Sequence, residues 1–168
     1  MAKPVNMAAQ ASSASPLFLR DPELRRGMEL LYFGHSHLTR SIDQGLADEG
    51  LGRAHHRALY FIARKPDMTV SELLSLLAIT KQSLGRVLNE LMERELVEAR
   101  AGERDRRQRL LRLTAAGSKM ESELFEAVRE RMSAAYASAG QAAVSGFWAV
   151  LEGLVPESER NQVVGLRG

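Results

Sequence analysis

Between Thr80 and Arg94 the chain interleaves two kinds of residue at helical spacing. Leu84, Val87, Leu88 and Leu91 recur three and four apart, the pattern of a helix with one buried stripe. Around them stand Lys81, Gln82, Ser83, Arg86 and Asn89, polar and basic groups that such a helix turns outward. Arg grips guanine and Gln grips adenine through paired hydrogen bonds, each discriminating by about 1–3 kcal/mol, so Gln82, Ser83 and Arg86 are candidates for base edges. Lys81 and Asn89 fall nearer to phosphate. Thr80 caps the helix, and with the first free amides it can hold a phosphate at the positive helix end. The plain alternative is a solvated helix face; the capped position after a tight turn favours DNA.

A second concentration of chemistry lies at residues 100–112. Six Arg (100, 104, 106, 107, 109 and 112) stand there against Glu103 and Asp105, a net +4, so the rest of the chain sums to −2. Arg104 and Arg106 are candidates for insertion into a narrow minor groove. A third group is the histidines. His35, His37, His55 and His56 all fall within 22 residues, with Tyr32, Phe33, Tyr60 and Phe61 beside them. Imidazoles ligate metals and haem and titrate near neutral pH. Neither pair has the spacing of four that would put two ligands on one helical face. No metal site and no cofactor is therefore expected, and structural or surface roles are preferred.

Composition removes other classes. The chain has 168 residues, 45% hydrophobic and 26% charged, which suits one soluble domain with arms. With no cysteine there is no disulfide framework and no thiol nucleophile. The opening MAKPVNMAAQASSASP lacks the apolar run of a signal peptide, and no segment is long and apolar enough to span a membrane, so the cytoplasm is the expected location. Of the 23 basic residues 19 are Arg, which suits bidentate contacts to phosphate and bases. No GxSxG elbow, phosphate-binding glycine loop or HExxH appears, so an enzyme is not expected.

The elements that must position these residues are legible. Residues 1–16 read as a disordered tail, and Asp21 and Pro22 open a long amphipathic helix to about Ala47. A second helix spans Arg53–Lys65. Thr69-Val70-Ser71-Glu72 is a capping box, followed by a short Leu-rich helix, a tight Ala78-Ile79 connection and the helix capped by Thr80. Two short helices across such a turn form a helix-turn-helix. Strand-like pieces at Leu96–Arg100 and Arg109–Leu113 flank the Arg-rich turn and make a wing. Thr114 caps a helix to about Ala139, and a last helix carries Val144, Phe147, Trp148, Leu151 and Leu154.

The expected fold is mainly α with a small β wing. Residues 1–16 form the tail and 17–50 an N-terminal dimerisation helix. A winged helix-turn-helix domain covers 51–113, and 114–168 supply C-terminal dimerisation helices. The terminal helices carry more apolar surface than the small centre can cover, so a homodimer bound to double-stranded DNA is expected.

The stretches ITKQSLGRVLNELMERELVEAR and AGERDRRQRLLRLTAAG resemble the recognition helix, wing and wing-to-helix junction of MarR-family transcription regulators. The specific part is Asp105-Arg106-Arg107, then Leu113-Thr114 and Gly117 after a strand. The resemblance implies an obligate homodimer, a palindromic operator and, in many members, release by a small ligand; repression is the expected outcome. It also implies that Asp105 orients a neighbouring Arg and that Arg107 braces the hairpin or meets the DNA backbone. The family's effector pocket would fall near Tyr32, His35, His55 and His56. Glu95 stands where the family usually has Gly, so a left-handed turn there is expected to be strained or differently built, and Gly102 replaces a common acidic residue at the wing's opening. Two other readings stay open from the residues alone: a winged helix docking an acidic protein partner, and a metal- or haem-responsive regulator using the histidines.

Overall fold

The computed structural model describes residues 16–102 and 108–166, and the chain divides into two units at His37/Leu38. The first unit holds a 3-10 turn at Pro16–Leu19 and the start of helix α1 (Asp21–Asp48). The carbonyl of Arg20 closes the first turn of α1 by accepting from the amides of Glu23 and Leu24, both at 3.1 Å. Asp21 is thus the first helical residue and not the cap, and its charge still favours the positive helix end. Leu24, Met28, Leu30, Leu31, Tyr32 and Phe33 are all exposed on this segment.

The second unit is built around one core. Helix α2 (Arg53–Arg64) contributes Leu59 and Ile62, strand β1 (Met68–Thr69) Met68, and helix α3 (Val70–Leu77) Leu73 and Leu77. Helix α4 (Lys81–Glu93) adds Leu84 and Leu91; Leu111 comes from strand β3 (Arg109–Leu113), which pairs with β2 (Val97–Ala101). These eight side chains are fully buried, and each stabilises the unit by about 1.5–3 kcal/mol through loss of apolar surface to water. Ile42 and Leu46 from the second half of α1, and Leu124 from α5 (Ala115–Ala139), close the same core.

The sheet is antiparallel with order β1-β3-β2, pairing Met68 with Leu111 and Val97 with Leu113. Strand β1 has only two residues and no period of its own to announce it. At the helix-turn-helix, the Thr69 hydroxyl accepts from the Glu72 amide at 3.2 Å while the Glu72 carboxylate accepts from the Thr69 amide at 2.7 Å. Ala78 turns the chain in the left-handed region (φ 50°), and Thr80 caps α4 by accepting from the Ser83 amide at 3.1 Å.

After the wing, the Thr114 hydroxyl accepts from the Gly117 amide at 3.0 Å and donates to the Glu95 carbonyl at 2.6 Å. Gly140 (φ 80°) separates α5 from α6 (Gln141–Leu154), where the Trp148 indole donates to the Tyr136 hydroxyl at 2.9 Å. A further helix, α7 (Glu157–Val164), was not anticipated. Its sequence ESERNQVV is polar with little periodicity, and its end is held by other elements: the Arg64 guanidinium donates to the Leu166 carbonyl at 2.6 Å, and Gln162 donates to Ser75 at 3.1 Å. No helix among the described residues is long and apolar enough to cross a membrane.

Candidate nucleic-acid interface

Helix α4 sorts its residues by face. Leu84, Val87, Leu88 and Leu91 are buried, while Lys81, Gln82, Ser83, Arg86 and Asn89 are exposed. The Thr80 hydroxyl lies 2.8 Å from that of Ser83, so both are engaged in the cap. Lys81, Gln82, Arg86 and Asn89 make no side-chain hydrogen bond or ion pair among the described residues. A rigid helix with its polar groups uncommitted suits the reading of base edges.

The helix is fixed at both ends. Its N-terminal turn hangs on the Ala78 turn and the Thr80 cap. At the other end the Leu96 amide donates to Leu91 and the Glu95 amide to Met92, both at 2.9 Å, with Glu95 in the left-handed region (φ 56°). Of the two expectations for Glu95, the left-handed turn is the one found. Arg57 of α2 donates to the Leu77 carbonyl at 2.8 Å and so closes the last turn of α3, the helix that precedes α4.

The wing residues Arg104, Asp105, Arg106 and Arg107 lie outside the described residues. Its base is described, and there the charge is partly spoken for. Arg112 forms a two-pronged ion pair with Asp67, in the turn between α2 and β1, and Arg100 pairs with Glu98 at 2.6 Å. The Arg112 hydrogen bond holds the Asp67 carboxyl below the usual range. Asp67 itself is left-handed (φ 64°), and its amide donates to the Leu111 carbonyl at 3.0 Å, so the turn grips β3 twice. Of the net +4 in residues 100–112, two positive charges are thus answered by acids outside the segment. The buried Gly102 donates to the Gln108 carbonyl at 3.0 Å and draws the two strands together below the tip.

The histidines divide. His35 and Tyr32 lie in the first unit, His55 and His56 in the second. His56 is half-buried beside Tyr60 (ring centroids 6.3 Å apart), and Tyr60 lies 6.5 Å from Phe125 of α5; burial pushes the His56 pKa down. His55 accepts from the Gly52 amide through Nδ1 at 3.1 Å, and its Nε2 lies 2.8 Å from the Glu90 carboxylate. No cluster of metal-ligating groups occurs among the described residues.

Sequence reasoning passed over Asp67, Glu90 and Arg57. Asp67 sits in a Pro-Asp turn whose sole signal was helix termination, and Glu90 read as one more outward residue of α4. Their partners are 45, 35 and 20 residues away, beyond any local period.

Comparisons with known proteins agree with this geometry. A family model described as the MarR family matches residues 49–108. The chain is 49% identical over 144 residues to the HTH-type transcriptional regulator PetP of Rhodobacter capsulatus, covering 86% of this chain and 87% of the relative. Among solved structures, NadR in complex with 4-hydroxyphenylacetate superposes with a TM-score of 0.65 at 23% identity, over 88% of this chain and 97% of that one. A mutant MarR from E. coli complexed with operator DNA gives 0.62 at 21% identity, over 84% of this chain and 100% of that one. These likenesses are to the fold. Taken with the free polar face of α4 and the Arg-rich wing beside it, the relatives make the chain a DNA-binding transcriptional regulator of the MarR family, not an enzyme.

Proposed function

We propose that the protein is a homodimeric, sequence-specific repressor that works in the cytoplasm on a palindromic operator. The observation that carries this is the outer face of α4, where Lys81, Gln82, Arg86 and Asn89 stand uncommitted above the buried stripe of Leu84, Val87, Leu88 and Leu91. Gln82, Ser83 and Arg86 read bases in the major groove, with Lys81, Asn89 and the Thr80 helix end on phosphates. Arg104 or Arg106 enters the minor groove, with Asp105 and Arg107 supporting the hairpin. The exposed apolar residues of residues 17–50 and of α6 supply the contact between two chains, which spaces the two reading helices by one DNA turn.

A small ligand relieves repression in this reading by binding one lobe spacing better than the other. Support comes from the half-buried His56 beside Tyr60 and Phe125, an aromatic surface with a neutral imidazole, and from NadR, which is solved with an aromatic carboxylate. Tyr32, His35 and His55 complete the set of candidates for that role.

The test is selection of random duplex DNA on the purified protein, then anisotropy titration of the winners near about 150 mM salt, where non-specific binding is weak. A two-fold symmetric motif bound by two chains is the expected result. Binding that is weak, erased by salt and indifferent to sequence would overturn the reading.

A further inference from the structure

On an α-helix, side chains four apart are neighbours, and an Arg and a Glu so placed attract each other. Arg86 and Glu90 of α4 have that spacing, yet Arg86 has no ion pair among the described residues. The Glu90 carboxylate has gone elsewhere. Its Oε2 lies 2.8 Å from Nε2 of His55, on the N-terminal turn of α2. That nitrogen is shut off from solvent and makes no well-aligned hydrogen bond, while the Glu90 side chain beside it stays half exposed. The ring is not free to turn away. Its Nδ1 accepts from the Gly52 amide at 3.1 Å, where His55 fills the place that Glu fills in an ordinary capping box. With Nδ1 an acceptor, the proton of the neutral ring sits on Nε2, the ring nitrogen that lies beside Glu90.

We propose that His55 is a positioning residue for DNA reading: it draws Glu90 off the outer face of α4 and leaves the Arg86 guanidinium free for a base. The inference rests on the DNA-reading role of α4. A released Glu90 would compete for Arg86 and set a carboxylate beside the DNA phosphates. His55 does two separable jobs, since Nδ1 sits where an Asn side-chain oxygen would and only Nε2 reaches Glu90. The variant His55→Asn therefore keeps the α2 cap and drops Glu90.

The experiment is a double-mutant cycle on the selected operator: wild type, His55→Asn, Glu90→Gln and the double variant. Thermal unfolding is measured on each. The tautomer of His55 is read by nitrogen NMR on the free wild-type protein. We expect His55→Asn to weaken operator binding about three- to tenfold, and the same change in the Glu90→Gln background to cost less than about twofold. The resonance should show Nδ1 unprotonated and the proton on Nε2. A purely structural His55 would lose affinity equally in both backgrounds, and that result overturns the proposal. So does a proton on Nδ1, which needs no variant to fold. If the wild type itself selects no DNA sequence, the reading of α4 fails, and this inference falls with it while the tautomer still reports the His55 geometry.

Discussion

Gly50 and Glu95 occupy the same position in two helix ends. At the end of α1, the Leu51 amide donates to Leu46 and the Gly50 amide to Ala47, with Gly50 left-handed (φ 63°). At the end of α4 the same pair of bonds runs from Leu96 and Glu95, and the left-handed residue is Glu95 (φ 56°). A side chain in that region costs about 1–2 kcal/mol that glycine does not incur, partly offset by glycine's freedom in the unfolded chain. Glu95→Gly should therefore raise stability by about 0.5–1 kcal/mol, read as a higher urea midpoint at unchanged slope. An unchanged or lower midpoint would show that the turn relaxes around Glu95. Gly117 presents the opposite constraint. A Cβ there would stand 1.9 Å from the Leu96 carbonyl oxygen, so the start of α5 can approach the residue before β2 only without a side chain. Gly117→Ala should cost about 3 kcal/mol or more by overpacking, seen in the same urea titration. A loss below about 1 kcal/mol would mean that the junction shifts freely. Gly117 was visible in the sequence as part of a motif; its reason, a carbonyl 21 residues earlier, was not.

Among the elements, α3 is held by a three-group arrangement that predicts acid behaviour. The Lys65 ammonium and the Thr69 amide both donate to the Glu72 carboxylate, which lowers its pKa from 4.5 to about 2. A carboxyl depressed in the folded state contributes stability above its unfolded value, and that contribution is lost as the pH falls from about 4.5 toward 2. Replacing Glu72 by Gln should lower stability at neutral pH by about 1 kcal/mol, the worth of a cap, and flatten the acid limb in that window. If the acid limb is unmoved, Glu72 is not the group whose protonation loosens α3. This element was readable because its signals are local: Thr69 and Glu72 are three apart and the leucines follow at once. The bounds of β3 and α5 were readable for the same reason, from a strand run closed by Thr114 and a helix closed by Gly140. By contrast β1 exists because Met68 pairs with Leu111, and α7 because Arg64 and Ser75 hold it. Neither partner is within reach of a sequence window. The division of α4 into buried and exposed residues was legible in the sequence, whereas the ion-pair partners Glu90 and Asp67 become meaningful only with the chain folded.

For the whole molecule, the feature that bears on the proposed homodimer is its exposed apolar side chains. Leu24, Met28 and Leu31 recur at four and three on α1, and Phe147, Trp148 and Leu154 are exposed on α6. A few scattered exposed apolar groups are ordinary; a continuous helical row is costly in water. In the proposed homodimer these rows are covered. The double change Leu24→Glu, Met28→Glu should leave the second unit folded and shift sedimentation to a monomer. Operator affinity should then fall by about 100-fold or more, since one half-site is lost. A variant that still sediments as a dimer would move the contact away from α1.

The bond from Arg64 to the Leu166 carbonyl spans 102 residues. Closing a loop of that length costs entropy that nothing repays until both ends are made, and the α7 contacts bury no apolar side chain fully. The order of assembly follows. The core from Leu59 to Leu111 is built from segments that leave the ribosome before α7 does, so that core can form ahead of α7. Helix α7 then settles on a surface already formed, and its amides should be the first of the second unit to exchange with solvent deuterium.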